Sequence, residues 1–314
     1  MSEWLYLSLM EALQVVVVAL ASLLLIGWVR MLKCWLQNRS SASMLQPYRD
    51  IYKLFFKDIV LAHNASWIFR FTPYLVFGAV LLTGAIIPVL SAELPLARTA
   101  DVIALVSIFA MIRFFIALAG MDIGTAFGGM GSSREMMIAS LAEPALLISI
   151  FTVSFVTGST SLSEMVHTTT GGHIVLRPSL AFALLAFIII LIAETGRIPI
   201  DNPATHLELT MVHEAMILEY SGRHLALIEW AGMMKFFLYS SLGIALFFPW
   251  GMAKGAGALP LAMLSITIKT GFGAIVIVLI ETGLAKMRLF RVPEFLGSAF
   301  LLSSLCILSY FMLE

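Results

Sequence analysis

Eight apolar runs, each close to 20 residues, dominate this sequence, and FALLAFIIILIA at 182–193 is typical of them. A helix needs about 20 apolar residues to cross the hydrocarbon core of a bilayer. Only helices and closed barrels satisfy every backbone polar group there. The chain is 60% hydrophobic and 12% charged, against about 25% charged in a soluble domain. A single anchor on a soluble domain could not dilute the charges this far. The fold class expected is therefore all-α, a polytopic membrane protein of about eight transmembrane helices. Their spans read as 4–29, 68–91, 99–120, 135–158, 178–197, 225–250, 260–284 and 293–312. No internal repeat or long polar stretch divides residues 1–314, which read as one integral membrane domain. The first run lacks a basic start, contains Glu11 and precedes no A-x-A site, so it reads as a retained helix rather than a cleaved signal peptide.

Orientation follows from Lys and Arg, which collect in cytoplasmic loops. Thirteen lie in or beside the loops on one side, seven of them from Arg30 to Arg70. Three (Arg98, Arg177 and Lys254) lie on the other side, and three (Arg113, Lys235 and Lys269) fall inside helices. The basic loops are placed in the cytoplasm and both termini outside, in the plasma membrane.

The first basic loop contains MLQPYRDIYKLFFKDIV, 44–60. Met44, Tyr48, Ile51, Phe55 and Ile59 recur at helical spacing, with Arg49, Asp50, Lys53 and Lys57 opposite. An amphipathic cytoplasmic helix on the membrane surface is expected. Two roles stand open: an interfacial helix that spaces its neighbours, or a collar that docks a cytoplasmic partner through Gln46, Arg49, Asp50, Lys53 and Lys57.

The stretch 194–221, ETGRIPIDNPATHLELTMVHEAMILEYS, gathers Glu194, Asp201, Glu208, Glu214 and Glu219 with Arg197, His206 and His213. Pro199 and Pro203 break the helical register, so the chain leaves the fifth helix near Arg197. Irregular backbone at membrane depth persists where it is buried in protein or lines water. Residues 198–222 are expected to form a cytoplasmic loop with a short helix, lining a polar cavity.

Ionisable groups inside lipid are expensive and point to pathways. Glu11, Arg113, Glu143, Lys235, Lys269 and Glu281 lie well inside apolar runs, and Arg134 and Glu135 open the fourth. Eight residues at 100° each set Glu135 and Glu143 about 80° apart and roughly 12 Å along one helix. Both can face one bundle interior. Static pairs, such as Glu143 with Arg113 or Glu281 with Lys269, are one reading. The other is a proton relay through Glu135, Glu143, Glu194, Glu208, Glu281, Asp201, Glu214 and Glu219, with Arg113, Arg134, Arg197, Lys235 and Lys269 as charge partners. Replacing a buried pair by apolar residues is often neutral or stabilising, so a purely structural bundle has little need of so many charges.

Other chemistry is excluded. The two cysteines, Cys34 and Cys306, lie in distant segments with no CxxC, so no iron–sulfur cluster is ligated here. His206 and His213 are seven apart rather than four, which does not suit one metal. GMDIGTAFGGMGSSRE at 120–135 lacks the GK[ST] ending of a phosphate loop. It reads as a flexible loop, with Ser132 or Ser133 capping the next helix. A net charge of zero gives no footing for nucleic acid.

ETGRIPID, with HLEL and ILEYSG after it, resembles the signature of the complex I H-type family, NADH dehydrogenase subunit 1. MLQPYRDIYKLFFKD resembles that family's surface segment, and Arg134 with Glu143 resembles its fourth-helix pattern. In quinone-reducing members several acids follow the aspartate; here Ala204 and His206 stand in their places, and Glu214 is added. GSSRE with Glu135 resembles the branch of group 4 nickel–iron hydrogenase anchors, of the formate hydrogenlyase subunit 4 or hydrogenase-4 component C type. The resemblance implies a non-catalytic subunit with no bound cofactor, in a prokaryotic membrane. It also implies hydrogenase large and small iron–sulfur subunits on the cytoplasmic side, carrying the nickel–iron centre and clusters, and antiporter-like membrane subunits as neighbours within the lipid. A buried carboxylate funnel would then link the redox module to proton or sodium movement. The alternative is a quinone-cavity subunit of a complex I-type oxidoreductase.

Overall fold

A computed structural model describes residues 2–41, 43–92, 94–96, 101–171, 177–201, 211–252, 258–288 and 291–313. Among these residues the regular structure is helical: α1 Ser2–Leu36, α2 Gln46–Phe55, α3 Trp67–Ile86, α4 Val102–Asp122, α5 Ala126–Thr157, α6 Leu162–Gly171, α7 Pro178–Glu194, α8 His213–Ile217, α9 Gly222–Phe247, α10 Leu259–Gly283 and α11 Val292–Leu313. Seven of them (α1, α3, α4, α5, α9, α10 and α11) are long and apolar enough to cross a membrane, and α7 is a shorter apolar helix of 17 residues. The chain is an all-α polytopic membrane protein, and each of the eight expected spans overlaps one of these helices.

The helices pack in a chain of neighbours. α11 lies against α7 and α5, α5 against α4, α4 against α3, α3 against α9, and α9 against α1, which also meets α10. One core runs through them, with Val18, Val76, Phe109, Leu146, Phe187 and Tyr239 fully or almost fully buried. α10 and α11 leave most of their surface uncovered.

Several helix limits differ from the sequence expectation, and two of them have a clear local reason. The run at 68–91 stops being helical at Ile86. Pro88 has no N–H to donate, and it pushes the residue before it out of the α region; Ile87 is extended, at φ −69° and ψ 125°. The chain continues through buried Val89 and Leu90, whose backbone must find partners inside the protein. Gln14 on α1 supplies them. Its Nε2 donates to the carbonyls of Gly84 and Ile87 at 2.9 Å, and its Oε1 accepts from the N–H groups of Val89 and Leu90 at 3.2 and 3.1 Å.

The glycine-rich stretch 120–135 is mostly helix rather than loop. α5 begins at Ala126, capped by Thr125, whose side chain accepts from Gly128 N. Ser132 therefore caps nothing; its hydroxyl donates to the carbonyls of Ala117 and Gly128, at 2.8 Å each. Glycine is required at 128 by close approach: a Cβ there would lie 2.0 Å from the carbonyl oxygen of Gly120. The sharp return from α4 into α5 depends on that missing atom.

Within the expected surface segment 44–60, helix spans Gln46–Phe55 with Pro47 in its first turn. Its buried Ile51 packs with Leu23 of α1 and Met233 of α9, and Tyr48 donates to the Leu20 carbonyl at 2.6 Å. The basic face of α2 stays outward, with Arg49 and Lys53 exposed, and Lys57 just beyond its end is exposed as well.

Candidate functional site

Two charged clusters sit where α7 ends and the chain turns back toward α8 and α9. The inner one is built on Arg113 of α4, which is 3% exposed. Each nitrogen of its guanidinium faces a different carboxylate: Nε to Glu135 at 3.4 Å, Nη1 to Glu143 at 3.3 Å, and Nη2 to Glu194. The 80° offset of Glu135 and Glu143 on α5 lets both converge on one group. Glu194, the last residue of α7, is fully buried and divides its oxygens, one to Arg113 and the other 3.2 Å from Lys235 Nζ of α9. The sequence expectation that Glu143 pairs with Arg113 holds, and the pair is one edge of a five-residue network.

With every group ionised, this network has three carboxylates and two cations. One negative charge is left over, with Glu194 buried and Glu135 and Glu143 16% and 33% exposed. Burial raises the cost of such a charge.

The outer cluster is built on Glu281 of α10, whose side chain is 1% exposed. Lys33 Nζ lies 2.7 Å from one of its oxygens and Arg197 Nη1 3.2 Å from the other. Here two cations meet one carboxylate, the reverse imbalance. The Arg197 guanidinium also lies 3.7 Å above the Phe236 ring. Burial pushes Arg197 below its ordinary pKa, while the Glu281 charge and hydrogen bond pull it back; arginine starts so high that it stays charged. Asp201 accepts from the backbone N–H of His213 at 3.1 Å and lies 3.8 Å from Lys286 Nζ. Burial lowers the Lys286 pKa, Asp201 raises it, and Arg134 lowers it further.

A cavity of about 70 Å³ adjoins the inner cluster, lined by Arg113, Glu135, Glu194, Lys235 and His213 among others. A larger one, about 690 Å³, adjoins the outer cluster, with Lys33, Arg197, Asp201, Glu281, Glu214 and Glu229 in its walls. Both have space for water and several polar partners for it.

The remaining candidates are placed as follows. Arg134 donates to the Met211 carbonyl at 2.7 Å. Glu219 is exposed and lines neither cavity. Glu208 and His206 lie outside the described residues. Lys269 is not the partner of Glu281: its ammonium donates to the carbonyls of Phe248, at 2.7 Å, and Trp250. Twelve residues separate the two on α10, which places them about 120° apart and roughly 18 Å along the axis. On α2, Asp50 is held by Gln46 at 2.8 Å and Arg30 at 3.3 Å. Among the described residues no group of three His, Cys, Asp or Glu side chains is placed to hold a metal.

Two contributors escape a reading of the sequence alone. Lys33 reads as a loop residue, yet α1 continues to Leu36 and carries it to Glu281. His213 reads as an ordinary interfacial histidine, yet it lines both cavities. The signal for Lys33 is the absence of any helix breaker between Val29 and Leu36.

The chain is similar to known proteins along most of its length. The NADH dehydrogenase family matches residues 10–312. Formate hydrogenlyase subunit 4 of Escherichia coli K12 is 33% identical over 92% of this chain and 94% of its own length. Hydrogenase-4 component C of the same organism is 31% identical over 91% of this chain and 89% of its own length. NADH-quinone oxidoreductase subunit 8 of Rhodothermus marinus is 28% identical over 66% of this chain and 61% of its own length. A chain of the archaeal membrane-bound sulfane sulfur reductase superposes with a TM-score of 0.84, covering 96% of this chain and 99% of that one at 18% identity; this likeness concerns the fold.

Proposed function

The chain belongs to the NADH dehydrogenase family, and we propose that it is the membrane anchor and ion-coupling subunit of a complex I-like, membrane-bound hydrogenase. The names of its relatives support the complex: a formate hydrogenlyase and hydrogenase-4 among those above 30% identity. The observation that carries the coupling role is the Arg113 network, with three carboxylates on one guanidinium and a cavity beside it. In this reading the chain holds no redox centre. Hydrogenase large and small iron–sulfur subunits, bearing the nickel–iron centre and clusters, dock on the basic face of α2 and on the 198–222 segment. That side is the cytoplasm of a prokaryotic cell, with both termini outside its plasma membrane. Antiporter-like subunits cover the bare faces of α10 and α11.

Coupling then works through charge. A proton or electron arriving in the docked module alters the field at the outer cluster. Arg197 shifts relative to Glu281, and the balance of Glu194 between Arg113 and Lys235 changes with it. The proton held by the inner acids is released toward the neighbouring subunits and replaced from the outer cavity.

Isolation of the intact complex through a tag on this chain tests the proposal. Nickel–iron and iron–sulfur subunits should co-purify, and vesicles carrying the complex should take up ions as they evolve hydrogen. Recovery of the chain alone, active as an ion carrier, would overturn it. A second reading, a quinone-cavity subunit, is favoured by the NADH-quinone oxidoreductase relative and by an apolar groove of about 600 Å³ between α1 and α10, lined by Leu24, Trp28, Phe237 and Ile266. It requires quinone reduction by the purified complex that quinone-site inhibitors block.

A further inference from the structure

We infer that His213 passes protons through the wall between the two cavities, an inference that rests on the proton-coupling reading above. Among the described residues four border both cavities: Thr195, Gly196, His213 and Gly232. Thr195 is occupied, its hydroxyl donating to the Leu191 carbonyl at 2.7 Å. The two glycines have no side chain to offer. They keep the wall thin instead: Gly196 sits at φ +58°, where a side chain is strained, and a Cβ on Gly232 would meet no atom within 4 Å. His213 is the one ionisable group of the four.

Charged groups stand on both sides of this wall. On the inner side stand Arg113, Glu135, Glu194 and Lys235, whose network, with Glu143, has one carboxylate in excess. On the outer side, Arg30, Lys33, Arg39 and Arg197 balance Glu281, Asp201, Glu214 and Glu229, with Lys33 and Arg197 both on Glu281. The backbone of His213 is anchored by its N–H to Asp201, and the residue borders both cavities. Imidazole can take a proton on one nitrogen and release the other from the opposite nitrogen near neutral pH. One N–H bond forms and one breaks, and the ring ends neutral. A ring flip or tautomer exchange resets it.

The test uses the whole complex in vesicles. Hydrogen evolution is measured beside the membrane potential, read with an oxonol dye so that added base does not mask the signal. His213→Ala should cut charge uptake per hydrogen by about tenfold or more, with uncoupled hydrogen evolution retained. Millimolar imidazole should restore uptake in this variant, more at high pH than at low, and should not change the wild type. Gly232→Val, which fills the shared wall and leaves His213 in place, should lose uptake without rescue. Normal uptake in His213→Ala beside lost uptake in Glu194→Gln overturns the inference and spares the coupling reading. Normal uptake in both overturns the coupling reading itself. Full recovery in His213→Gln, which fills the site but cannot carry a proton, also overturns the inference.

Discussion

Arg113 of α4 and Glu194 at the end of α7 meet inside the bundle, with 3% and 0% of their side chains exposed. Glu194 simultaneously reaches Lys235 of α9, so three helices are tied through one carboxylate. Removing one partner of a buried pair leaves an uncompensated charge and costs about 3–5 kcal/mol. Arg113→Leu is therefore expected to lower the stability of the detergent-purified protein severely. The double variant Arg113→Leu/Glu194→Leu should recover part of the loss. Thermal unfolding of the three proteins checks both statements.

Gln14 is the second polar anchor, and its role is structural. It satisfies the backbone of the non-helical segment after α3, with no exposure of its own. Gln14→Leu strands buried carbonyl and N–H groups, each at a cost of about 1–3 kcal/mol. The expected result is a protein with a lower unfolding temperature and faster protease cleavage near residues 87–90.

These two cases mark how far the sequence carries. Period and length suffice for the eight spans, because an apolar run has one solution in lipid. The offset of Glu135 and Glu143 also suffices to aim both inward. Partner choice is less legible. Sharing one apolar run suggests Lys269 as the partner of Glu281, but helical geometry turns them apart, and Lys33 arrives from α1 instead. The glycines of 120–135 suggest a loop; in fact most of the stretch is helical, and close packing against Gly120 demands the glycine at 128. Tertiary contacts of this kind leave no periodic trace.

Lys269 is accordingly expected to be irrelevant to coupling. Its ammonium binds carbonyls just beyond the end of α9, where a cation is favoured by the helix dipole. Lys269→Met should leave ion uptake per hydrogen at the wild-type value and lower the unfolding temperature modestly. Loss of coupling in this variant would contradict the placement of the relay at the other end of the bundle.

Tyr220 gives the fold an alkaline limit. It stacks on Phe69 with ring centroids 3.9 Å apart and donates to the Phe69 carbonyl at 2.9 Å. Burial, reinforced by the Asp122 charge, pushes its pKa above the ordinary tyrosine range. A folded value above the unfolded value of about 10 means that stability is fully present below pH 10 and declines above it, by up to about 1.4 kcal/mol per pH unit for the one proton. Tyr220→Phe should be less stable than wild type at pH 8 because it loses the hydrogen bond. The difference should shrink as the pH rises from about 10 to 12. Denaturant titrations across that range measure it.

The most direct measurement is the ratio of charge taken up to hydrogen evolved in vesicles carrying the complex with Glu194→Gln. Glutamine keeps the shape of Glu194 and removes the carboxylate charge that lies between Arg113 and Lys235. The account predicts a ratio near zero with most uncoupled hydrogen evolution retained. An unchanged ratio would show that ions cross elsewhere and that the Arg113 network is a static brace.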